Sequence, residues 1–368
     1  MGSRPIGRAV TLAACIALAT SACSSPASSP APSSTVGETA AEEPAESVAP
    51  GGLPAPEVTE LVIGNSSEFS VSNPTAVVVL YDELWEKYGF TSIEILEFGG
   101  GADAVQANIA GQVDLSDNSG GPVVASLLTD APLVMTYVNQ DNLTDCIAVT
   151  GEIETADDLR GEAIAISSFG AVSHAGALVG LAGLGLTPDD VVITQIGGGG
   201  ERLAALQSGS VSGAILDVTE IAPIAELGFH CLINLAEVPE VGGVVRTSLT
   251  FTQDFVEENP NTVLNLTAMY AEAQVLWMSD PAHTAEALAS VAEIPLEDAQ
   301  EQVDLVLATG WLPLDGRCDE DVMEFTKQTL LPEVPDLEDV DPNEACTNDF
   351  IDQLIEMGFY AEIGVPGY

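Results

Sequence analysis

Two glycine clusters, spaced alike, constrain this chain most. One begins at Gly99 and the other at Gly197, and the helix pattern after each ends on a glycine, Gly111 and Gly209. Both pairs are offset by 98 residues. The flanks repeat as well. In the first unit a short strand is predicted at 61–63. A helix follows from the N-cap and proline pair Asn73-Pro74 to about Tyr88, and Gly89 stops it. Strands are predicted at 93–98 and from 113 to 116, with a helix carrying Val105 and Ile109 between them. The second unit reads the same way: strand at 163–167, helix capped by Ser173 and dissolving at Gly183 and Gly185, strand at 191–196. A helix with Leu203 and Leu206 and a strand over 211–216 complete it. Strands alternating with helices argue α/β architecture, and a duplicated unit argues two similar lobes. From about Arg246 the pattern is mostly helical. A long amphipathic helix starts at Pro260, and further helices are expected over 284–291, 296–307, 319–330 and 348–357.

The ends of the chain bound where it works. Arg4 and Arg8 precede a short apolar run, 9–22, too short for a membrane span of about 20 residues, so 1–22 reads as a targeting leader. Residues 23–56 are dominated by Ser, Pro, Ala and Glu, with almost no large apolar side chain; this segment reads as a tether. Residues 57–148 are assigned to lobe one, 149–240 to lobe two, and 241–368 to helices that complete lobe one. Only 8 basic residues stand against 57 acidic ones, a net charge of -49 that becomes -51 once Arg4 and Arg8 leave. Phosphate backbones would be repelled over most of such a surface, so nucleic acid is excluded as a partner.

Four cysteines remain beyond the leader and Cys23: Cys146, Cys231, Cys318 and Cys346. An even number outside the cytoplasm suggests two disulfides. Three connectivities are open, and the reading favours Cys146–Cys231 with Cys318–Cys346. There is no CxxC pair, and His174, His230 and His283 are few and scattered, so neither a metal site nor a cofactor is expected. GxSxG, SxxK, HExxH and P-loop motifs are all missing, which argues against an enzyme.

Several stretches resemble a known family. Gly99-Gly100-Gly101 through Gly111-Gln112-Val113-Asp114 and on to Gly120-Gly121-Pro122 is similar to solute-binding proteins of the nitrate, sulfonate, taurine and thiamine-precursor import group. Asp157-Asp158-Leu159-Arg160-Gly161, the segment 206–217, and Phe255-Val256 through Pro260 resemble the same group. The resemblance implies a two-lobed type II periplasmic-binding-protein fold with two interlobe crossovers, expected near 146–151 and 235–246. It implies a monomer that captures a small-molecule solute by lobe closure and hands it to ABC permease and ATPase subunits. Ala19-Thr20-Ser21-Ala22-Cys23 resembles a lipobox, with Ala19 where that motif usually has Leu. That implies a lipid on Cys23 and anchorage at the extracytoplasmic face of the cell membrane. Related-fold pyrimidine-phosphate synthases carry a cysteine-rich motif, which the scattered cysteines here do not match.

Ligands of open α/β sheets sit beyond the carboxyl ends of the strands, where helix N-termini offer unpaired N–H groups. Four loops qualify. They supply Ser66, Ser67 and Phe69; Asn118, Ser119 and Gly120; Ser168, Phe169, Gly170 and Ser173; Asp217 and Thr219. Ser67 and Ser173 have a rival role as caps, and His174 reads as a helix residue with a satisfied ring. Arg246, at the second crossover, either meets a ligand oxyanion or forms a structural ion pair. The solute is expected to be a small organic molecule or oxyanion of the sulfonate, nitrate or taurine kind. The alternatives are a pyrimidine thiamine precursor stacked on Phe69 or Phe169, a related-fold enzyme, or a sensor lipoprotein.

Overall fold

The architecture rests on two five-stranded sheets built to one plan. It comes from a computed structural model that describes residues 52–66, 80–81, 83–141, 143–217, 227–235, 238, 243–309 and 315–368. All of these lie in one unit, Glu46–Tyr368. The leader, Cys23 and nearly all of the tether fall outside the described residues, as do Ser67, Phe69 and Thr219.

The strands are β1 (Glu60–Asn65), β2 (Ser92–Glu97), β3 (Leu115–Asn118), β4 (Leu133–Gln140), β5 (Cys146–Thr150), β6 (Ala163–Ile166), β7 (Val192–Gln195), β8 (Gly213–Leu216), β9 (Phe229–Asn234) and β10 (Thr247–Thr252). The first sheet has the order β2-β1-β3-β10-β4 and the second β7-β6-β8-β5-β9. In each, three parallel strands form one half: β1 lies between β2 and β3, and β6 between β7 and β8. The fourth strand in each is antiparallel to both neighbours. That strand is always the one arriving from the other lobe, β10 in the first sheet and β5 in the second. Each crossing therefore ends by knitting the chain into the sheet it has just reached.

The helices are α1 (Glu83–Lys87), α2 (Gly101–Ile109), α3 (Gly120–Ser126), α4 (Val172–Gly183), α5 (Gly199–Gln207), α6 (Gln253–Glu258), α7 (Pro260–Ser279), α8 (Pro281–Ala292), α9 (Leu296–Thr309), α10 (Glu320–Leu330), α11 (Asp349–Glu356) and α12 (Phe359–Ile363). The predicted repeat is present. α2 and α5 start 98 residues apart, at Gly101 and Gly199, and β3 and β8 do the same at Leu115 and Gly213. Gly111 and Gly209 end their helices in the left-handed region, φ +67° and +71°, which glycine enters without a Cβ clash.

Both sheets are covered on both faces, so their strands lack the apolar–polar alternation of a half-exposed sheet. In the second sheet, alternate residues point to opposite cores. Ile147, Ile164 and Ile215 face one side, Ala148, Ala165 and Ala214 the other. The isoleucine face takes α4, whose Gly176 and Gly180 lie against Ile215 and Ile147. A Cβ on Gly180 would sit 2.6 Å from Ile147 Cδ1, so glycine is what lets this helix dock so close. Around the first sheet, α7, α8 and α9 close a core holding Tyr88, Phe251 and Tyr270, and α10 covers the other face with Met323 and Leu330.

Two expectations need correcting. The chain was read as mostly helical from Arg246, but β10 comes first. Ser248 and Thr250 hide it in the pattern. Both are fully buried polar residues, satisfied by one another at 3.1 Å and by the Asn118 carbonyl, which accepts from Ser248 Oγ at 3.0 Å. The first crossing was expected at 146–151, yet β5 already pairs in the second sheet from Cys146, so the passage occupies 141–145. The second crossing lies between Asn234 and Thr247, as expected. Both favoured disulfides are formed, Cys146–Cys231 with Cα atoms 5.7 Å apart and Cys318–Cys346 at 6.5 Å. Among the described residues no helix is long and apolar enough to cross a membrane.

Candidate functional site

The carboxyl ends of β3 and β6 bring most of the predicted residues together, one group from each lobe. β3 ends on Asn118, whose Nδ2 donates to the Gly101 carbonyl at 3.1 Å. That bond fixes the amide orientation and leaves Oδ1 turned the other way. Asn118 is fully buried, and Oδ1 has no partner among the described residues. Ser119 follows as the N-cap residue of α3, with extended backbone and no side-chain cap bond, and Gly120 packs against Val245. From the other lobe, Ser168 follows β6. It is 8% exposed, and its Oγ also has no partner among the described residues. Buried polar atoms left unmade cost about 1–3 kcal/mol each, so such atoms on facing loops are informative.

The lobes touch at two places here. A Cβ on Gly100 would lie 3.4 Å from Ser168 Oγ. A Cβ on Gly121 would collide with the Gly170 carbonyl oxygen. Gly170 itself turns the chain at φ +80°, beside Leu330 of α10. Gly121 and Gly170 are thus positions where backbone meets backbone across the seam, while Gly100 meets the Ser168 side chain.

Ser173 does not cap α4. Ala171 is the N-cap residue, and Ser173 lies inside the first turn, where its Oγ accepts from Ser167 N at 2.9 Å and pairs with Ser167 Oγ at 2.7 Å. It holds the loop rather than the helix end. His174 was read as a satisfied helix residue, and half of that holds. Its Nδ1 accepts from Gly170 N at 3.2 Å, so the neutral ring carries its proton on Nε2, which is buried without a partner among the described residues. Burial lowers its pKa below the ordinary histidine value, against an opposing pull from Glu333. The Phe169 ring stands edge-on to it at 5.2 Å and is itself 49% exposed, an unusual position for a core aromatic.

Arg246 sits apart with Asp217. Its guanidinium pairs with Asp217 Oδ2 at 2.6 Å and with the Asp145 carboxylate. Asp145 lies on the first crossing and Arg246 at the end of the second, so this ion triad ties both passages together. The backbones agree: Arg246 N donates to Gln140 O at 2.8 Å, and Leu235 N to Asp145 O at 2.9 Å. Burial holds the Asp145 carboxyl above the ordinary carboxylate range; the Arg246 guanidinium pulls against this and the Asp217 carboxylate adds to it. Sequence reading missed Asp145. Its one signal was its place immediately before Cys146, where a strand entering a new sheet begins. Ser66, the remaining described residue of the predicted set, hangs its N–H on the Asp117 carbonyl at 3.3 Å.

Such paired strand ends suit the capture of a small molecule. A family model described as NMT1/THI5 like matches residues 91–284, more than half of the chain. The chain belongs to the NMT1/THI5-like family. Solved structures agree on the fold of this NMT1/THI5-like chain. The alkanesulfonate-binding protein SsuA from Xanthomonas axonopodis pv. citri, bound to MOPS, is 20% identical with TM-score 0.64, covering 79% of this chain and 99% of that one. The periplasmic aliphatic sulphonate binding protein SsuA from Escherichia coli is 21% identical with TM-score 0.58, covering 76% and 88%. The periplasmic nitrate-binding protein NrtA from Synechocystis PCC 6803 is 12% identical with TM-score 0.65, covering 85% and 92%. No curated protein matches. The expected two-lobed periplasmic-binding fold is therefore the fold of this chain.

Proposed function

We propose that this chain is the extracytoplasmic solute-binding subunit of an ABC importer, which captures a small organic or oxyanion solute by lobe closure and performs no chemistry on it. One observation carries the reading: two duplicated sheets face each other through their strand-end loops, meeting at Gly100–Ser168 and Gly121–Gly170. The binding residues are Asn118, Ser119, Gly120, Ser168, Phe169 and Gly170 from the seam. Ser66, Ser173, Asp217 and Arg246 support it, and the proposed set also includes Ser67, Phe69 and Thr219, which lie outside the described residues. A lipid on Cys23, with the tether after it, holds a monomer near its permease and ATPase. The similar structures reported above, which are sulfonate- and nitrate-binding proteins, support this class. Phe169 favours a second reading, because a half-exposed ring at the seam offers a stacking face for a pyrimidine.

Native mass spectrometry of protein purified from its own host tests the reading. The expected spectrum shows a retained small molecule that leaves on denaturation. Adding it back at about 100 times its Kd should stabilise the fold by about 2.7 kcal/mol through mass action. A chain that retains nothing, and that host metabolite extracts do not stabilise, would contradict the proposal.

A further inference from the structure

His174 is a buried titratable group in the first turn of α4, and it lies against the seam. Its helix neighbours Val172 and Ala175 pack in one cluster with Phe325 of α10. α10 itself belongs to the first lobe through Met323 and Leu330. The ring reaches the seam through Gly170. His174 Nδ1 takes the Gly170 N–H, and the carbonyl oxygen of that same glycine is the atom that Gly121 of the other lobe approaches. The Phe169 ring stands over the imidazole edge-on at 5.2 Å. Ring, glycine turn and facing helix thus form one chain of contacts from lobe to lobe.

The neutral ring fits this place and the charged ring does not. A second proton would put N–H groups on both nitrogens. Nδ1–H would point at the Gly170 N–H, donor against donor, and the turn would lose its tie. Nε2–H, buried with no partner among the described residues, would share a charge with no acceptor to receive it. The positive end of α4 also opposes a cation in its first turn. Little nearby offsets this. Of the strands packed on α4, β5, β6 and β8 carry no ionisable side chain beyond the disulfide-bonded Cys146, and β9 has only His230, which is exposed. α10 brings Glu320, Asp321, Glu324 and Lys327, the last two paired with each other. Burial lowers the pKa of the ring and outweighs the opposing pull of Glu333, just beyond α10. Parting the lobes takes α10 off this side of α4 and lets water reach the ring, so the open form tolerates the proton. A proton favoured by the open form opposes closure by the same factor with which closure opposes the proton.

We propose that His174 is a proton-sensitive latch on the seam: when neutral it ties the Gly170 turn where it meets Gly121, and when protonated it releases that turn, so the lobes hold their solute less tightly in acid. The proposal rests on the lobe-closing reading above and adds a positioning residue to it.

Imidazole NMR titration of the purified protein tests the latch, with two variants that set the lobes. Gly100→Cys with Ser168→Cys should lock them shut, because a Cβ on Gly100 would lie 3.8 Å from Ser168 Cβ, the usual spacing across a disulfide. The backbone at Gly100 is extended, φ 171°, which cysteine adopts freely. Gly121→Ala should hold them apart. His174→Asn identifies the His174 signal among the three histidines, and its Oδ1 can accept in place of Nδ1. The locked ring should bind its proton about 10-fold or more weakly than the ring of Gly121→Ala. Where the lock does not form, the parent holding the solute retained from its host serves as the closed form, with the same expectation. Equal proton affinity in the closed and opened forms overturns the latch. The Kd of the retained solute should also rise by about 10-fold between pH 8 and pH 5.5, as the ordinary histidine range is crossed, and stay flat in His174→Asn. An equal rise in both proteins overturns the latch while solute binding stands. A host protein holding no solute counts against the importer reading instead, and the locked comparison then judges the latch alone.

Discussion

Replacing Gly121 with alanine is expected to weaken solute binding by about 100-fold while leaving the empty protein as stable as the parent. The added Cβ would run into the Gly170 carbonyl oxygen, a backbone atom on the other lobe that cannot rotate aside. Overpacking of this kind costs about 1–3 kcal/mol when neighbours are free to shift, and a backbone contact across a seam belongs at the upper end. That cost exists only when the lobes meet. Affinity falls by whatever fraction of the closed form is lost, so about 2.7 kcal/mol against closure is about a hundredfold in Kd. Inside α3, alanine is the better helix former, so the open state gains slightly. Titration of the retained solute against both proteins, with melting curves of each when empty, checks this. Unchanged affinity would mean that the Gly121–Gly170 contact is no part of the bound state.

Arg246→Leu should cost the fold about 3–5 kcal/mol at neutral pH, the usual penalty for leaving buried charge without its partner. Asp145 and Asp217 would both lose their guanidinium, and Asp145 is 2% exposed. The loss should depend on pH. Asp145 already stands above its ordinary pKa because burial outweighs the pull of Arg246, and removing Arg246 raises it further. A carboxyl whose folded pKa exceeds its unfolded value binds protons on folding, so stability rises as pH falls through the folded pKa towards the unfolded one, near 3.9. The variant should therefore be weakest relative to the parent at and above neutrality and recover on acidification. Urea unfolding at pH 8 and pH 5 measures this. A deficit that stays constant or grows towards pH 5 would remove Asp145 as its cause.

Much of the fold was legible because its strongest signals are local. Glycines that end helices need left-handed backbone wherever they occur, so Gly111 and Gly209 marked the repeat without knowledge of any contact. Asp319 and Asn259-Pro260 likewise announced the starts of α10 and α7. What escaped depends on distant partners. β10 carries Ser248 and Thr250 into a buried sheet because β3 and β4 satisfy its backbone, and nothing within the six residues says so. Asp145 acquires its role only when Arg246, 101 positions later, folds back on it. The site was legible as loops but not as atoms. Asn118 and Ser168 could be named from strand ends, whereas the buried, unpartnered state of Oδ1 and Oγ emerges only from the folded chain. Ser173 was misassigned because a serine near a helix start reads as a cap, although the extended residue at the boundary is Ala171.

Small-angle X-ray scattering of the solute-free chain, before and after saturation with the retained solute, addresses lobe closure most directly. The radius of gyration should fall as the strand-end loops of the two sheets come together, and Gly121→Ala should blunt the change. An identical scattering curve with solute demonstrably bound would contradict a closing seam.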